Sequence, residues 1–371
     1  MNLPTVIYNE EVMREGFGIE DVRIPLEAKV ELLDALSGTG LQRITVGAFV
    51  SPRFVPQMAN FEQLLRRFRP RVGVAYLPFI HNQKARQLAA QYSPPLMIEE
   101  EWCSLVVDIC DVHQRRNVNR SIEQIMAYWP RMIQEAKTAG ISKGRVAVFS
   151  AYGSNFLGKF SQSYRFSFLE REIGLLTAAG IEVVEIGLHD SQSWCVPNEI
   201  EDDLNEIKRR WPNIKQFHLH IHDARGMALP ALYAGLRTLG KNDTVLIDGT
   251  LGGIGGGQYC GNGRASGMAA TEDFLHMLEG MGVETGVDLD KVIECVWMLE
   301  KIIGRPAFGH VSKAGPRPTN PKDFYDPNMP AVESLEAAKH FKLGPQVYRK
   351  EGYSPWKEPI TGPFLQERIS A

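Results

Sequence analysis

The feature that most constrains this chain is a repeated switch of hydrophobic period: short β-rich runs alternate with amphipathic helical stretches from Thr5 to beyond Asp248. Strands are predicted at Thr5–Tyr8, Arg43–Phe49, Arg71–Leu77, Leu105–Cys110, Arg145–Ser150, Glu182–Gly187, Gln216–His220 and Thr244–Asp248. The fourth has two readings, because Met97–Val107 also fits a helix. Between the strands lie helical patterns. Leu26–Ser37 places Leu26, Val30, Leu33 and Leu36 on one face, and Ser121–Ala139 opens with a capping box of Ser121 and Gln124. Phe166–Ala179 and Glu199–Trp211 behave similarly, and after Asp223 the leucines 229, 232, 236 and 239 share one face. This cadence implies parallel strands joined by crossover helices. Eight strands over roughly 250 residues point to an α/β fold of the closed (β/α)8 TIM-barrel kind, with an open sheet as the alternative. In a barrel, chemistry gathers at the C-terminal ends of the strands.

The 371 residues suit one large barrel plus an appendage. From Gly304 the texture changes: Pro306, Pro316, Pro318, Pro321, Pro327 and Pro330 interrupt the chain before a short helical piece at Val332–His340. A barrel domain over 1–303 and a C-terminal extension over 304–371 are expected. Phe341, Tyr348, Tyr353, Trp356 and Phe364 favour packing of the extension on the barrel or on a neighbouring subunit over disorder.

Apolar residues at 44% and charged residues at 23% describe an ordinary globular protein. A net charge of -3, from 41 basic and 44 acidic residues, gives no electrostatic case for nucleic acid. No apolar run reaches the roughly 18 residues of a membrane span. Met1–Glu11 has no basic segment leading into an apolar one, so no secretory signal is expected. The five cysteines are scattered and lack CxxC spacing, which argues against a disulfide framework or a thiolate zinc site and favours a reducing cytoplasm.

The strongest local signal is Phe217-His218-Leu219-His220-Ile221-His222-Asp223. Strand alternation puts the three histidines on one face and the apolar residues on the other. Two neutral imidazoles two residues apart at a strand end can hold one cation. His220 and His222 lie nearest the predicted strand end, and His218 reads as a deeper core histidine. A second signal is Arg14-Glu15-Gly16 near the first strand: Glu15 can complete a metal shell, and Arg14 can meet an anionic oxygen. The triplet alone is weak, being more often an exposed turn.

A third is the glycine-rich run Gly252–Gly263 after the eighth strand, in which Gly255, Gly256 and Gly257 are candidate substrate-loop residues. Such glycines serve close backbone approach or a lid, with a plain flexible loop as the equal alternative. It has no Lys-Ser/Thr and follows the wrong strand for a dinucleotide fingerprint. A fourth is Asp190 at the end of strand six, either a proton carrier beside the metal or a cap of the following turn.

These motifs, in this order, resemble the metal-dependent barrel superfamily of 3-hydroxy-3-methylglutaryl-CoA lyase, isopropylmalate and homocitrate synthases and hydroxy-oxovalerate aldolase, with the lyase branch most similar. Phe49-Val50-Ser51-Pro52-Arg53-Phe54-Val55-Pro56-Gln57-Met58 looks like the lyases' FVSPKWVPQM segment. Arg116-Asn117-Val118-Asn119-Arg120-Ser121-Ile122-Glu123 resembles KNxNxSIEE. Ala265-Ser266-Gly267, Ala270-Thr271-Glu272-Asp273 and Met277-Leu278-Glu279-Gly280 resemble the run ASGN, ATED and MLEG. The likeness extends from about Val6 to Lys313. It implies a Mg2+ or Mn2+ ion on Glu15, His220 and His222, Arg14 stabilising enolate charge, Asp190 as the catalytic aspartate, an acyl-CoA or hydroxy/oxo-acid substrate, and a homodimer or higher homo-oligomer.

Departures qualify that implication. Glu15 stands where the lyases have Asp, as in the homocitrate synthases, and Thr45 replaces a strand-two glutamate. The lyases' loop cysteine falls on Gly257, with Cys260 as a candidate acid beside its reading as loop filler. Their asparagine ligand falls on Met268 without gaps, and Asn262 is the candidate replacement. The expected chemistry is metal-assisted retro-Claisen cleavage of a 3-hydroxy-3-substituted acyl-CoA. A condensing synthase or oxo-acid aldolase is the alternative, and a non-catalytic barrel is the reading from another class.

Overall fold

A computed structural model describes residues 2–257, 267–320, 323–332 and 356–362. Eight parallel strands run in chain order: β1 (Thr5–Glu10), β2 (Arg43–Ala48), β3 (Ala75–Phe79), β4 (Cys103–Asp108), β5 (Lys143–Phe149), β6 (Glu182–Asp190), β7 (Gln216–Ile221) and β8 (Thr244–Gly249). Their order in the sheet is β3-β2-β1-β8-β7-β6-β5-β4, the cyclic order of a (β/α)8 barrel with the hydrogen-bonded ladder running from β3 round to β4. Each predicted strand overlaps an observed one. The fourth is strand, and residues 97–102, which left its reading open, form no helix. The third starts four residues later than predicted, because Arg71–Val74 forms a turn in which the Arg71 N–H donates to the Tyr76 hydroxyl (2.8 Å).

The helices follow the amphipathic patterns. They are α1 (Leu26–Leu36), α2 (Phe61–Leu65), α3 (Gln83–Ala90), α4 (Asp111–Val118), α5 (Ile122–Thr138), α6 (Gln162–Ala178), α7 (Pro197–Arg210), α8 (Ala228–Thr238), α9 (Thr271–Gly280) and α10 (Leu289–Ile303). The capping box of α5 is formed: Ser121 Oγ accepts from the Gln124 N–H (3.1 Å), and Gln124 Oε1 accepts from the Ser121 N–H (2.9 Å). Two orphan donors at the helix start are satisfied reciprocally.

The main apolar core lies between the outer strand faces and the helices. It unites Leu105, Val107, Val146, Val148, Ile186, Leu188, Phe217, Leu219, Val245 and Ile247 with Trp129, Phe166, Leu169, Leu204, Leu232 and Leu236, all buried. Each such side chain contributes about 1.5–3 kcal/mol on burial. Because alternation spends the apolar residues on the outer face, the inner face can carry polar ones.

The chain divides into two compact units, Met1–Gly309 and His310–Ala371. In the second, the Asn328 side chain clasps the backbone of Ile360, accepting from its N–H (2.7 Å) and donating to its C=O (3.2 Å). Of the helical piece expected at Val332–His340, Val332 is described and is not helical, while residues 333–340 and the aromatics Phe341, Tyr348, Tyr353 and Phe364 lie outside the described residues. Among the described residues no helix is long and apolar enough to cross a membrane. Cys103, Cys110, Cys195 and Cys295 are free and buried.

Candidate metal centre and active site

β7 delivers two imidazoles by alternation. His218 and His220 face inward while Phe217, Leu219 and Ile221 are buried on the opposite side. His222 follows the strand directly, with its N–H donating to the Asp190 carbonyl (3.1 Å). The Nε2 atoms of His220 and His222 stand 3.2 Å apart. Glu15 arrives from a different construction. After β1 the chain makes one wide π-type turn, Val12–Gly16. There the Glu11 carbonyl accepts from the N–H groups of Arg14 (3.0 Å), Glu15 (2.7 Å) and Gly16 (3.2 Å). Such widened turns redirect side chains that a regular helix would space otherwise. Glu15 Oε1 comes to 3.8 Å from His222 Nε2, and one ligand atom from each of Glu15, His220 and His222 lies within 4.8 Å of the others.

A carboxylate behind the cluster fixes its protonation. Asp248, at the end of β8, accepts from His220 Nδ1 (2.8 Å) and His218 Nε2 (2.7 Å) through one oxygen. Its other oxygen accepts from Asn9 Nδ2 (3.1 Å). Burial works against its charge, but His218 and His220 outweigh it and hold the carboxyl well below its ordinary value. The same pairing raises His218, against the effect of burial. With the His220 proton on Nδ1, its Nε2 lone pair is turned toward His222 and Glu15.

Burial likewise opposes the charge on Glu15. Arg14 and then the two imidazoles overcome it and lower the Glu15 carboxyl. Arg14 forks across two carboxylates, with Nε on Glu11 (2.7 Å) and Nη1 on Glu15 (2.6 Å), and lies over the Phe79 ring at 4.6 Å.

This donor set fits a divalent cation. Two imidazole nitrogens and an ionised carboxylate converge, and bonds of about 2.1 Å at right angles would separate two ligands by roughly 3 Å, near the spacing of the two Nε2 atoms. Hard carboxylate with imidazole, and no thiolate among the described neighbours, suits a first-row or magnesium-type ion.

The other predicted residues are placed as follows. Asp190 Oδ2 accepts from the Cys195 N–H (2.8 Å), and Oδ1 is buried with no hydrogen-bond partner among the described residues. Burial raises this carboxyl, with the backbone donors of Cys195, Trp194 and Gln192 opposing. Asp190 is tied to the triad through its backbone, its carbonyl accepting from the His222 N–H. Gly255 has φ +111°, and a Cβ there would fall 2.9 Å from the Glu15 carbonyl, so its bare backbone packs against the ligand-bearing turn. Gly256 is buried and Gly257 half-buried. Cys260 and Asn262 lie outside the described residues. Where the chain resumes, Asp223 N–H donates to the Gly267 carbonyl (2.8 Å), and Met268, at the position of the family's asparagine, is buried and bridges His222 through its backbone.

Sequence reasoning passed over Asp248, Asn9, Glu11 and His189. Asp248 closes the predicted eighth strand, so the rule that strand ends carry function would have marked it. The inner face shows one register layer across the sheet: Asn9, Asp248, His220 and His189 on β1, β8, β7 and β6, continuing to Phe149 and Asp108 on β5 and β4. Asp108 in turn holds His113 Nδ1 and accepts from Ser150 Oγ (3.2 Å).

Residues 6–298 match the family described as HMGL-like. The chain belongs to the HMGL-like family. Relatives of this HMGL-like chain include the mouse cytoplasmic 3-hydroxy-3-methylglutaryl-CoA lyase, 31% identical over 301 residues, covering 81% of this chain and 82% of the relative. The (R)-citramalyl-CoA lyase of Chloroflexus aurantiacus is 30% identical over 317 residues, covering 82% and 92%. Among solved structures, an HMG-CoA lyase from Acinetobacter baumannii in complex with coenzyme A and 3-methylmalate superposes with a TM-score of 0.68 at 25% identity, covering 85% of this chain and 97% of that one. The HMGL-like chain is thus a carbon–carbon lyase on a TIM barrel.

Proposed function

We propose that this chain is a divalent-metal-dependent lyase, using Mg2+ or Mn2+, that cleaves a 3-hydroxy-3-substituted acyl-CoA by retro-Claisen chemistry. The observation that carries the reading is the convergence of Glu15, His220 and His222 at the C-terminal mouth of the barrel. The names of the relatives support an acyl-CoA with a tertiary hydroxyl as substrate.

Glu15, His220 and His222 would hold the cation, which would supply Lewis acidity and lower the pKa of a substrate hydroxyl. The chain supplies the remainder. Asp248 holds His220 in the tautomer that presents Nε2. Asp190, raised by burial and with one oxygen uncommitted among the described residues, carries the hydroxyl proton away. Arg14, fixed by Glu11 and Glu15, stabilises the enolate oxygen as the carbon–carbon bond breaks. An acid from the glycine-rich segment, with Cys260 as candidate, returns a proton to the enolate carbon.

Turnover of a panel of 3-hydroxyacyl-CoA compounds tests this. Carbon–carbon cleavage products, acetyl-CoA and a carbonyl compound, should appear with Mg2+ or Mn2+ and vanish with chelator. Thiol release from acetyl-CoA with 2-oxo acids, and none from the hydroxyacyl panel, would replace the lyase by a condensing synthase.

A further inference from the structure

One side chain in the barrel mouth has no part in the chemistry above. His189 stands in register with His220 on the inner face of the sheet. Its ring meets Phe149 edge-on at 4.3 Å and His218 at 4.5 Å, and its centre lies 5.5 Å from that of His220. It is 6% exposed, yet neither ring nitrogen has a hydrogen-bond partner among the described residues. The other polar members of the layer are satisfied: Asn9 reaches Glu11, Thr45 and Asp248, His220 reaches Asp248, and Asp108 accepts from Ser150 and from the Cys110 N–H.

Native interiors rarely leave such groups unmatched, and those that do occur cluster where something else arrives. Room for this ring is built in. A Cβ on Gly187 would fall 2.7 Å from His189 Nε2, so only glycine at that position lets the imidazole occupy the space. Phe149 and His218 hold the ring from two sides. The ring centre lies 5.5 Å from that of His220, one of the residues that would hold the cation.

We propose that His189 is a specificity-determining residue whose ring N–H donates to an oxygen at the far end of the acyl chain, so that the enzyme selects substrates ending in a carboxylate or hydroxyl over those ending in hydrocarbon. The proposal rests on the metal-dependent reading of Glu15, His220 and His222. A polar terminus matches an otherwise orphaned donor, whereas a methyl terminus leaves it buried and bare, a loss that commonly separates two ligands strongly.

The test uses the full chain loaded with Mn2+ and two probes that share a 3-hydroxy carboxylate and differ at the far end, 3-hydroxyglutarate and 3-hydroxybutyrate. Mn2+ affinity is measured first, by titration calorimetry, for the native chain, H189F and H189N, with thermal melts to confirm folding. The native chain should bind 3-hydroxyglutarate at least about tenfold more tightly than 3-hydroxybutyrate. That ratio should collapse toward one in H189F, which fills the space, and in H189N, which is too short to reach, while each variant still binds Mn2+. An unchanged ratio in either folded, Mn2+-binding variant overturns the proposal and leaves an ordered water as the partner of His189. Failure of the native chain to bind Mn2+ overturns the metal-dependent reading itself, and is seen before any probe is added.

Discussion

Asp248 shows how much a residue can govern without touching substrate. It binds two imidazoles through one oxygen, so its replacement frees His220 to turn and to change tautomer. D248N is expected to lower Mn2+ affinity about 10–100-fold with little change in fold, measured by titration calorimetry and circular dichroism. Wild-type affinity in that variant would remove Asp248 from the site. Arg14 allows a sharper separation. R14K keeps a charge but loses the planar fork over Glu11 and Glu15, so turnover should fall roughly 10²–10³-fold while Mn2+ affinity changes far less. The histidine pair was legible in the sequence because its spacing matches the strand period, and Glu15 was found through its neighbour Arg14. Asp248 and Asn9 were not, because strand pairing alone brings them together, and Glu11 was not, because nothing in the sequence shows that its side chain turns to Asn9 and Arg14.

At the scale of elements, the π-type turn and the segment after β8 depend on each other. Gly255 lies against the Glu15 carbonyl, and alanine there meets both an unfavourable φ and a backbone collision. G255A should displace the turn that carries Glu15, lowering Mn2+ affinity by about tenfold or more and costing about 1–2 kcal/mol of stability. Chemical denaturation alongside calorimetry reads both. The turn itself was invisible beforehand, since nothing in Val-Met-Arg-Glu-Gly distinguishes one widened turn from an ordinary one.

The same region holds two buried carboxyls. Glu10 accepts from the Val12 and Leu251 N–H groups and from Thr271 Oγ1, and burial raises it to about 7. Glu272 accepts from the Gly252 N–H, and burial and the neighbouring Asp273 raise it to about 8. Both would ionise near 4.5 when the chain unfolds. Between 4.5 and these raised values the unfolded chain gives up protons that the folded one keeps, so rising pH favours unfolding; above about 8 the loss is complete. Melting temperature should therefore fall from about pH 5 to pH 8. E272Q, which keeps the acceptor for Gly252, should flatten the upper part of that slope, and an unaltered slope would rule Glu272 out as its source.

For the whole molecule, every described residue of the proposed centre and of the main core belongs to the first compact unit. A chain ending at Gly309 is accordingly expected to fold cooperatively and to bind Mn2+ like the full chain, as checked by calorimetry and thermal melts. Loss of either would show that His310–Ala371 supports the barrel. Period switching announced the barrel as a whole, because eight alternations leave few topologies for parallel strands. It could not reveal the polar inner layer, since alternation states which face a residue takes but not which residues across the sheet share its level.

The Gly267 N–H donates to the Gly255 carbonyl at 2.7 Å, and the Gly267 carbonyl accepts from Asp223. The chain thus departs from the mouth and comes back at a single stapled point. Whatever length lies between the two glycines, its closure entropy is borne locally and grows only slowly with added residues. That stretch can be lengthened or shortened while Glu15, His220 and His222 stay where they are. Evolution or an engineer could therefore vary the cover of the mouth without moving those three donors.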